Sequence, residues 1–408
     1  MGSENLIGII ELGNLNIKCN ILDFNSDDKL EVISSSLTKT QGIHNSTIVN
    51  VSKATQSIRL CISEAEKKAK VSLKKINVVI EQPEFLCTKF SKNRKIDGSK
   101  IQKEDIEFLL KEAKKQVILN DQTQSIIHIF NHNYIVDGKS FIEEPINIYA
   151  DLLSHEMTFI TMPKNNLKNI YQVFSDCDIE IARLISCTFA LGVQLLNENQ
   201  LQNGSILIDL GHEKTSFGLF KNLALVHSST IPAGINHIVK DISKVCSLNL
   251  EESKIINDKT DYSFKENIKL FDENNYLKKS FFIKSAFRKV SKNLILNVIK
   301  ARLDEITEII RKQIYVSGLN INSGSKIFIT GGGSHLINME KYFSNFFDSA
   351  VQKLIMDNGN GKEIDQNIDS CLGAFKIIKY GWETEAIPET VDKSVEKIGF
   401  FAKVFGKR

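Results

Sequence analysis

Apolar and polar residues follow one another in short runs near the middle of the chain, where the pattern predicts three consecutive strands. Residues 206–208 form an apolar run that ends at Asp209 and Gly211, residues 217–220 form a second run, and residues 223–231 return as a third. The turn after the first strand presents backbone N–H groups beside a carboxylate, which suits a phosphate and its divalent cation. An ordinary hairpin turn also favours Asp and Gly, so this segment alone leaves both interpretations open.

The same arrangement occurs near the N-terminus. Residues 6–10 predict a strand, Glu11 and Gly13 lie in the turn, and residues 15–22 and 30–37 predict the second and third strands. The two acidic turn residues are about two hundred positions apart, and such a long-range repeat indicates two related lobes that face each other.

A cluster of three glycines forms a third candidate ligand-binding segment. Gly331, Gly332 and Gly333 follow the apolar run 327–329 and precede a predicted helix. Glycines allow a ligand to approach the backbone, and the start of a helix favours negative charge.

The remaining pattern predicts mainly helices. Residues 85–90, 126–130, 134–136 and 152–162 predict strands, and apolar residues recur at i, i+3, i+4, i+7 and i+11 from Ile106 as on one face of a helix. Residues 82–161 are therefore interpreted as a small inserted β-α-β-β unit that serves contacts. Further helices are predicted at 52–69, 165–174, 188–196, 235–245 and 369–380, and 250–318 is predicted to be charged and strongly helical.

Composition limits the class of protein. The chain has 408 residues, of which 42% are hydrophobic and 25% charged, as in a soluble globular protein of two or more domains. A net charge of only +3 argues against nucleic acid as the main partner. The seven cysteines show no CxxC spacing and are interpreted as reduced thiols in the cytosol. No apolar run approaches the roughly 20 residues that span a bilayer.

The last residues form a second distinctive feature. Residues 383–393 are polar, contain Pro388 and predict a flexible linker, whereas 394–408 predict an amphipathic helix. Its apolar face has Phe401 and Phe405 and its opposite face has Lys403 and Lys407, while Phe400 falls outside the apolar stripe. Such a helix can lie in a bilayer interface, although it could also pack on the protein's own core. The candidate membrane-binding residues are Val395, Ile398, Phe400, Phe401, Phe405, Lys403, Lys407 and Arg408.

In the order of these parts, the chain resembles the FtsA family of actin-like proteins, which tie the tubulin-like protein FtsZ to the bacterial membrane. The resemblance implies an α/β actin-like fold of ribonuclease H-like duplicated lobes, with an inserted small α+β subdomain and a C-terminal amphipathic helix. The implied domains are a first lobe at 1–81 and 162–190, the insert at 82–161, a second lobe at 191–244 and 311–382, a helical subdomain at 245–310, a linker at 383–393 and a membrane-targeting helix at 394–408.

The resemblance also implies an ATP and Mg²⁺ site, with changes in its phosphate loops. The first family loop is [DE]-x-G-[ST]-x-K, and here a hydroxyl and the lysine are absent, with Lys18 two places further on. In the second loop, D-x-G-x-G-T-T, the residues His212, Glu213 and Lys214 replace small residues. The A-E-x-x-K helix has Lys254 and Asn257 at its Glu and Lys positions. The implied cofactor-binding residues are Glu11, Gly13, Asn14, Asn16, Asp209, Gly211, Thr215, Gly234, Lys254, Gly331, Gly332 and Gly333, with Asp209 and Glu11 as metal ligands.

These departures predict a cleft that binds ATP weakly or not at all, and a protein that is at most a weak ATPase. No catalytic residue is assigned, because the start of the predicted bridging helix, 186–189, lacks the Glu or Gln that ATP-hydrolysing relatives use to position water. The resemblance implies a cytoplasmic scaffold, peripheral on the inner face of the membrane at the division site. Its implied partners are FtsZ near residues 245–310, anionic lipid, other copies in a filament, and other division proteins through residues 82–161.

Two other functions share the fold. A small-molecule kinase would transfer phosphate to an acceptor, but the sequence shows no acidic base beside a substrate pocket and its phosphate loops are altered. A pilus-assembly relative would be a binding module without the tail.

Overall fold

The computed structural model describes residues 6–24, 30–141, 143–265, 269–318, 326–354 and 368–381. The predicted linker and amphipathic helix at 383–408 lie outside the described residues. In the part that is described, no helix is both long and apolar enough to cross a membrane. The described residues divide into two compact units, one within residues 6–204, 218–229 and 368–381 and the other within residues 205–217 and 230–354.

Strands and helices alternate in blocks along the chain. The strands are β1 (Ile7–Leu12), β2 (Asn16–Phe24), β3 (Leu30–Lys39), β4 (Ile43–His44), β5 (Thr47–Ile48), β6 (Lys75–Ile80), β7 (Leu86–Lys100), β8 (Gln124–Val136), β9 (Lys139–Phe141), β10 (Tyr149–Pro163), β11 (Glu180–Ser186), β12 (Ser205–Leu210), β13 (Thr215–Lys221), β14 (Ala224–Ile231), β15 (Lys326–Thr330) and β16 (Val351–Lys353). The helices are α1 (Val51–Ala69), α2 (Lys103–Asn120), α3 (Lys164–Ser175), α4 (Cys187–Leu195), α5 (Glu198–Asn203), α6 (Ile235–Cys246), α7 (Leu250–Lys259), α8 (Lys292–Val316), α9 (Met339–Phe347) and α10 (Asp369–Tyr380).

The first sheet contains the predicted N-terminal meander. Its strand order is β11-β6-β1-β2-β3, with β1 antiparallel to β2 and parallel to β6. Its core is aliphatic and includes Ile10, Ile17, Ile58 and Val78, which are fully or almost fully buried. Helix α1 begins where the Asn50 side chain accepts a hydrogen bond from the Lys53 N–H, as an N-cap requires.

The insert has its own antiparallel sheet, ordered β7-β10-β8-β9. The predicted apolar face of α2 packs on this sheet through Ile106, Leu109 and Ala113, which are all buried. A strand was predicted at residues 85–90, but β7 continues to Lys100 because it pairs with β10 over almost its whole length.

The second meander is also confirmed as β12, β13 and β14. These strands belong to a sheet ordered β14-β13-β12-β15-β16, in which β12 runs parallel to β15 and Asp209 pairs with Thr330. The boundary between the two compact units falls within β13 and β14.

The prediction that residues 250–318 are strongly helical is wrong for the middle of that segment. Helices α7 and α8 form, but between them the described chain has only a short 3₁₀ turn, Lys279–Phe281. The Asp272 carboxylate accepts hydrogen bonds from the backbone N–H groups of Asn274 and Tyr276. Such local bonds compete with the helical ladder, which explains why helix-compatible composition does not produce a helix here.

Helices α4 and α10 cross closely within the first unit. A Cβ atom on Gly373 would overlap the carbonyl oxygen of Ala190, so only glycine permits this approach of the two backbones.

Candidate functional site

The first predicted phosphate turn is held by side-chain contacts within its own unit. The Asn14 carboxamide oxygen accepts a hydrogen bond from the Ser46 N–H at 2.8 Å, and the Thr40 hydroxyl donates to the Gly13 carbonyl at 2.8 Å. A Cβ on Gly13 would lie 2.5 Å from the Asn16 carbonyl oxygen. Asn14 and Asn16 therefore help to shape the turn, and the Asn14 carboxamide is committed to the neighbouring loop.

Glu11 forms an internal ion pair. Because Glu11 and Lys18 are cross-strand partners on β1 and β2, the Lys18 Nζ lies 3.3 and 3.2 Å from the two carboxylate oxygens. The Ser370 hydroxyl donates to one of the same oxygens. Burial alone lowers the pKa of Lys18, but the adjacent Glu11 carboxylate outweighs it and raises that pKa overall. The predicted metal ligand Glu11 is thus already neutralised by a lysine.

The second unit brings Asp209 and the glycine cluster together. Gly331 follows β15 with φ +80°, and a Cβ there would overlap the Asp209 Oδ1 atom. Gly332 faces open space, and a Cβ on Gly333 would lie 2.5 Å from Ile235 Cγ1. These contacts place the predicted residues of two loops side by side.

The helix predicted after the glycines is α9, but it does not begin at them. Residues Gly332–His335 form a 3₁₀ turn that the Ser334 hydroxyl closes on the Gly331 carbonyl, and helix α9 begins only at Met339. The turn is too short to carry a substantial helix dipole, so the anion-attracting effect predicted for this loop does not arise from a helix.

The turn after β12 is closed by the start of α6. The N–H groups of Ile235 and Asn236 donate to the carbonyls of Gly211 and His212 at 3.0 and 2.8 Å. The Thr215 hydroxyl donates to the Ala233 carbonyl at 2.8 Å, in the segment that leads into Gly234. A Cβ on Gly234 would lie 2.6 Å from two of the turn's carbonyl oxygens, so glycine is required for this contact. Two backbone N–H groups of the first turn of α6 are therefore already bonded.

Glu213 places a carboxylate at the same helix end. It accepts a hydrogen bond from the Asn236 side chain at 2.6 Å and pairs with Lys240, whose Nζ lies 3.1 Å from both carboxylate oxygens. Burial raises the pKa of Glu213, but the Asn236 and Lys240 contacts more than offset this and lower it. Only 16% of the side chain is exposed, so the carboxylate is a fixed, charged part of the turn.

Two histidines border this carboxylate. Burial lowers the pKa of His212, and His237 Nδ1 accepts a hydrogen bond from the Gly234 N–H at 3.1 Å. Because that nitrogen is an acceptor, it carries no proton and does not ion-pair with Glu213. Lys254 is exposed on α7 and lies close enough to lower the pKa of His212, which places it on the side of the second turn.

The remaining polar residues of α7 have structural roles. The Asn257 carboxamide accepts a hydrogen bond from the Tyr262 hydroxyl at 2.7 Å in the core. The Glu252 carboxylate accepts hydrogen bonds from the backbone of Asn249, Lys284 and Ser285 and from the Ser285 hydroxyl. Burial raises the pKa of Glu252, but these bonds lower it to about 2.

One acidic residue that the sequence pattern missed lies at the start of α4. The Glu81 carboxylate accepts hydrogen bonds from the Ser186 hydroxyl at 2.8 Å and the Thr188 N–H at 2.9 Å. His128 Nε2 accepts the Ser186 N–H at 2.9 Å. The sequence prediction found no carboxylate in residues 186–189, but Glu81 reaches this point because β6 and β11 are parallel neighbours that end together.

The predicted metal ligands Glu11 and Asp209 belong to different units. Among the described residues there is no group of three or more His, Cys, Asp or Glu side chains that could hold a metal ion.

The duplicated meanders, the closely crossed helices and the glycine loop beside Asp209 define an actin-like protein. Its fold is similar to that of a chain in the PilM-PilN type IV pilus biogenesis complex, with a TM-score of 0.62 at 11% identity over 90% of this chain and 96% of that one. It is also similar to MreB5 of Spiroplasma citri bound to AMPPNP, with a TM-score of 0.50 at 14% identity over 93% and 97% of the two chains.

Two family models match, the SHS2 domain inserted in FTSA at residues 85–161 and cell division protein FtsA at residues 206–358. The chain belongs to the FtsA family of cell division proteins. It is 23% identical to FtsA of Agrobacterium fabrum over 76% of this chain and 69% of that protein. It is 25% identical to FtsA of Bacillus subtilis over 81% and 74% of the two chains. The predicted actin-like fold with its insert and the predicted family are thereby confirmed, and a role in cell division follows.

Proposed function

We propose that this protein is an actin-like scaffold that attaches FtsZ filaments to the inner face of the cytoplasmic membrane at the division site. Family membership carries this proposal, because two family models match the chain, one of them for the SHS2 domain inserted in FTSA. In the same proposal, the scaffold assembles with copies of itself and recruits further division proteins through the insert.

An apolar and basic surface in the second unit supports the FtsZ contact near residues 245–310. The Ser285 hydroxyl accepts a hydrogen bond from the Asn249 N–H, and the Arg288 guanidinium donates to the Ser247 carbonyl, so two distant segments form one surface. The exposed apolar side chains of these segments are Val245, Leu250, Ile283 and Phe287. Grouped apolar side chains with nearby cations suit a partner segment that has apolar and acidic residues.

Membrane attachment in this proposal depends on the sequence pattern of residues 394–408. The phenylalanines would enter the acyl boundary, and Lys403, Lys407 and Arg408 would meet anionic headgroups. No membrane-spanning helix is required for this mode of attachment.

We further propose that the protein binds ATP and Mg²⁺ weakly and hydrolyses ATP slowly or not at all. MreB5 was solved with AMPPNP, so a nucleotide is compatible with a fold of this kind. Here, however, Glu11 is paired with Lys18, and Glu213 adds a negative charge to the second turn. Phosphate would have to displace or oppose these groups.

Liposome co-sedimentation of the full chain tests the scaffold proposal. With vesicles that contain anionic lipid, the full chain should sediment with the vesicles and bring FtsZ filaments with it. A chain without residues 394–408 should still bind FtsZ but should not sediment with the vesicles. A K403E/K407E variant, which keeps the apolar face, should bind anionic vesicles more weakly and do so in a salt-dependent way.

Three results would overturn the proposal. The membrane assignment fails if the deletion leaves sedimentation unchanged, and the scaffold assignment fails if FtsZ does not bind the full chain. Turnover of a small phosphoryl acceptor would favour an actin-fold kinase. Binding of a pilus-assembly protein in place of FtsZ would favour the pilus module.

A further inference from the structure

The insert presents a long open sheet edge. Strand β7, Leu86–Lys100, is the outer strand of the order β7-β10-β8-β9, whereas the opposite edge is the three-residue strand β9. Throughout the described parts of the chain, no strand pairs with the outer side of β7. An open edge of this length offers backbone groups to another extended chain.

The open edge is strongly basic. Strand β7 has five basic residues and one acidic residue, Asp97, for a net charge of +4 over 15 residues. The basic residues are Lys89, Lys92, Arg94, Lys95 and Lys100. An acidic extended segment would complement this charge along its length.

The cations lie on both faces of the sheet. Lys92 and Arg94 pair across β10 with His155 and Leu153, which are buried on the α2 side, whereas Lys95 pairs with the exposed Leu152 on the other side. Successive side chains of a strand point to opposite faces, so an added strand would meet a cation from each of its two faces.

Several of these cations are held in place by neighbours. The Arg94 guanidinium lies 4.4 Å from the Phe108 ring centroid and pairs with Asp105 at 2.9 Å. Lys100 Nζ lies 5.2 Å from the ring centroid of Tyr149, which is 68% exposed.

Edge lysines commonly serve only to repel other chains and prevent aggregation. Here Arg94 and Lys100 lie over the rings of Phe108 and Tyr149, which are both exposed. The exposed Leu152 lies directly opposite Lys95. Ordered cations beside exposed apolar groups fit a binding edge better than a repelling one.

The start of β7 is tied to the body of the first unit. Cys87 Sγ accepts a hydrogen bond from the Ser228 N–H at 3.3 Å, and the Thr158 hydroxyl donates to the Val226 carbonyl at 3.2 Å. These contacts fix the insert against β14 and leave residues 89–100 as the stretch of the edge that can take a partner.

We propose that β7 binds an acidic, extended segment of another protein as an added strand of the insert's sheet. The assignment of that protein to cell division depends on the proposed function, whereas the chemistry of the edge does not. Main-chain hydrogen bonds would give affinity, and the cations on both faces would select acidic side chains.

A synthetic peptide tests the edge on the full-length protein. The probe is a fluorescein-labelled peptide of alternating glutamate and valine, about ten residues long to match the free stretch of β7. Binding is followed by fluorescence anisotropy, and amide hydrogen exchange is measured with and without the peptide. The peptide should bind in a salt-dependent way and slow amide exchange within residues 89–100.

A matched pair of variants separates the edge from general attraction. K92E/K95E should weaken peptide binding at least tenfold, whereas K111E/K115E, which makes the same charge change on exposed positions of α2, should change it less than twofold. A lysine–valine peptide should not bind. Circular dichroism and urea unfolding verify that both variants remain folded.

Other outcomes would overturn the proposal. The proposal fails if the peptide does not bind, if the two double variants weaken its binding equally, or if binding does not slow amide exchange in β7. It also fails if the protein binds anionic vesicles and not the peptide, or if K92E/K95E mainly reduces self-association. FtsZ co-sedimentation, measured on the same variants, should be unchanged. Its failure in the wild type would count against the scaffold while leaving the peptide result intact.

Discussion

The Glu213 carboxylate should weaken nucleotide binding, and E213Q should therefore strengthen it. The variant removes one negative charge from the second turn and keeps an oxygen that can accept the Asn236 hydrogen bond. Lys240, which now pairs with Glu213, would become available to a phosphate. The change is local, because the backbone bonds that join the turn to α6 do not involve the Glu213 side chain.

The size of the effect follows from simple electrostatics. One unit charge about 8 Å from a phosphate changes its energy by about 2 kcal/mol at an effective dielectric constant near 20, and salt at physiological strength reduces this to about 1 kcal/mol. The expected gain in affinity for MgATP is therefore about five- to thirty-fold. The cost in the free energy of unfolding should stay below about 1 kcal/mol, since the lost ion pair involves a Lys240 side chain that is 49% exposed.

Titration with a fluorescent ATP analogue and Mg²⁺ measures this gain. The matched control is E251Q, which removes the same charge from the exposed Lys284 pair on α7 and should leave affinity unchanged within twofold. The reasoning is refuted if wild type already binds with a sub-micromolar Kd. It is also refuted if E213Q and E251Q change affinity equally.

Three further substitutions test the internal contacts by urea unfolding. K18M should lower the free energy of unfolding by about 1–3 kcal/mol, because it leaves the half-buried Glu11 carboxylate without its lysine partner. The control K75M removes an exposed ion pair and should lower it by less than about 0.5 kcal/mol. Equal losses in the two variants would contradict this prediction. G373A should lower the free energy of unfolding by about 3 kcal/mol or more, because the added methyl group would push α10 away from α4. The control G332A adds a methyl group that faces open space and should lower it by about 1 kcal/mol or less. A G373A variant as stable as the wild type would show that the two helices cross less closely. The hydrogen bonds to Glu252 lower the pKa of its carboxyl group to about 2 in the folded protein, below the unfolded pKa of about 4.3. The ionised carboxylate should therefore stabilise the fold fully above about pH 4.5, and this stabilisation should be lost as the pH falls toward about 2. The stability contributed at this position in E252Q should not change over the same pH range. Parallel pH curves for wild type and E252Q would contradict that assignment.

The parts of the fold that could be predicted from the sequence are those with local signals. The two meanders and the α2 face follow from alternation, turn residues and helical spacing, and the structure has all three. The middle of 250–318 was missed, because the carboxylate of Asp272 bonds its own neighbouring backbone. Asp272, Asn274 and Asn275 are turn-forming residues and gave a local signal that the prediction did not use.

The side-chain contacts of the candidate site depend on strand register and strand order, which a single sequence does not reveal. Lys18 was interpreted as a displaced lysine, but its cross-strand position opposite Glu11 makes it the partner of that carboxylate. Glu81 reaches the start of α4 because β6 and β11 are neighbours, although it lies about one hundred residues before that helix. Long-range pairing of this kind becomes predictable only once the order of the strands is known.

The two altered turns have one physical feature in common. In the first unit Glu11 pairs with Lys18, and in the second unit Glu213 pairs with Lys240 and accepts a hydrogen bond from Asn236. Side chains of the protein itself bond the two carboxylates, so we expect each turn to keep its conformation without a ligand.

Assembly that depends on these turns should therefore not need ATP. We expect the purified protein to bind FtsZ and anionic vesicles equally well with MgATP and with EDTA and no nucleotide, as measured by co-sedimentation. A protein whose turns were ordered by nucleotide would lose binding when nucleotide is removed, because ordering free energy would then have to come from the partner. If MgATP increases binding by more than about threefold, the internal pairs do not replace the ligand. If binding is independent of ATP in both the wild type and K18M, the pair between Glu11 and Lys18 has no part in assembly.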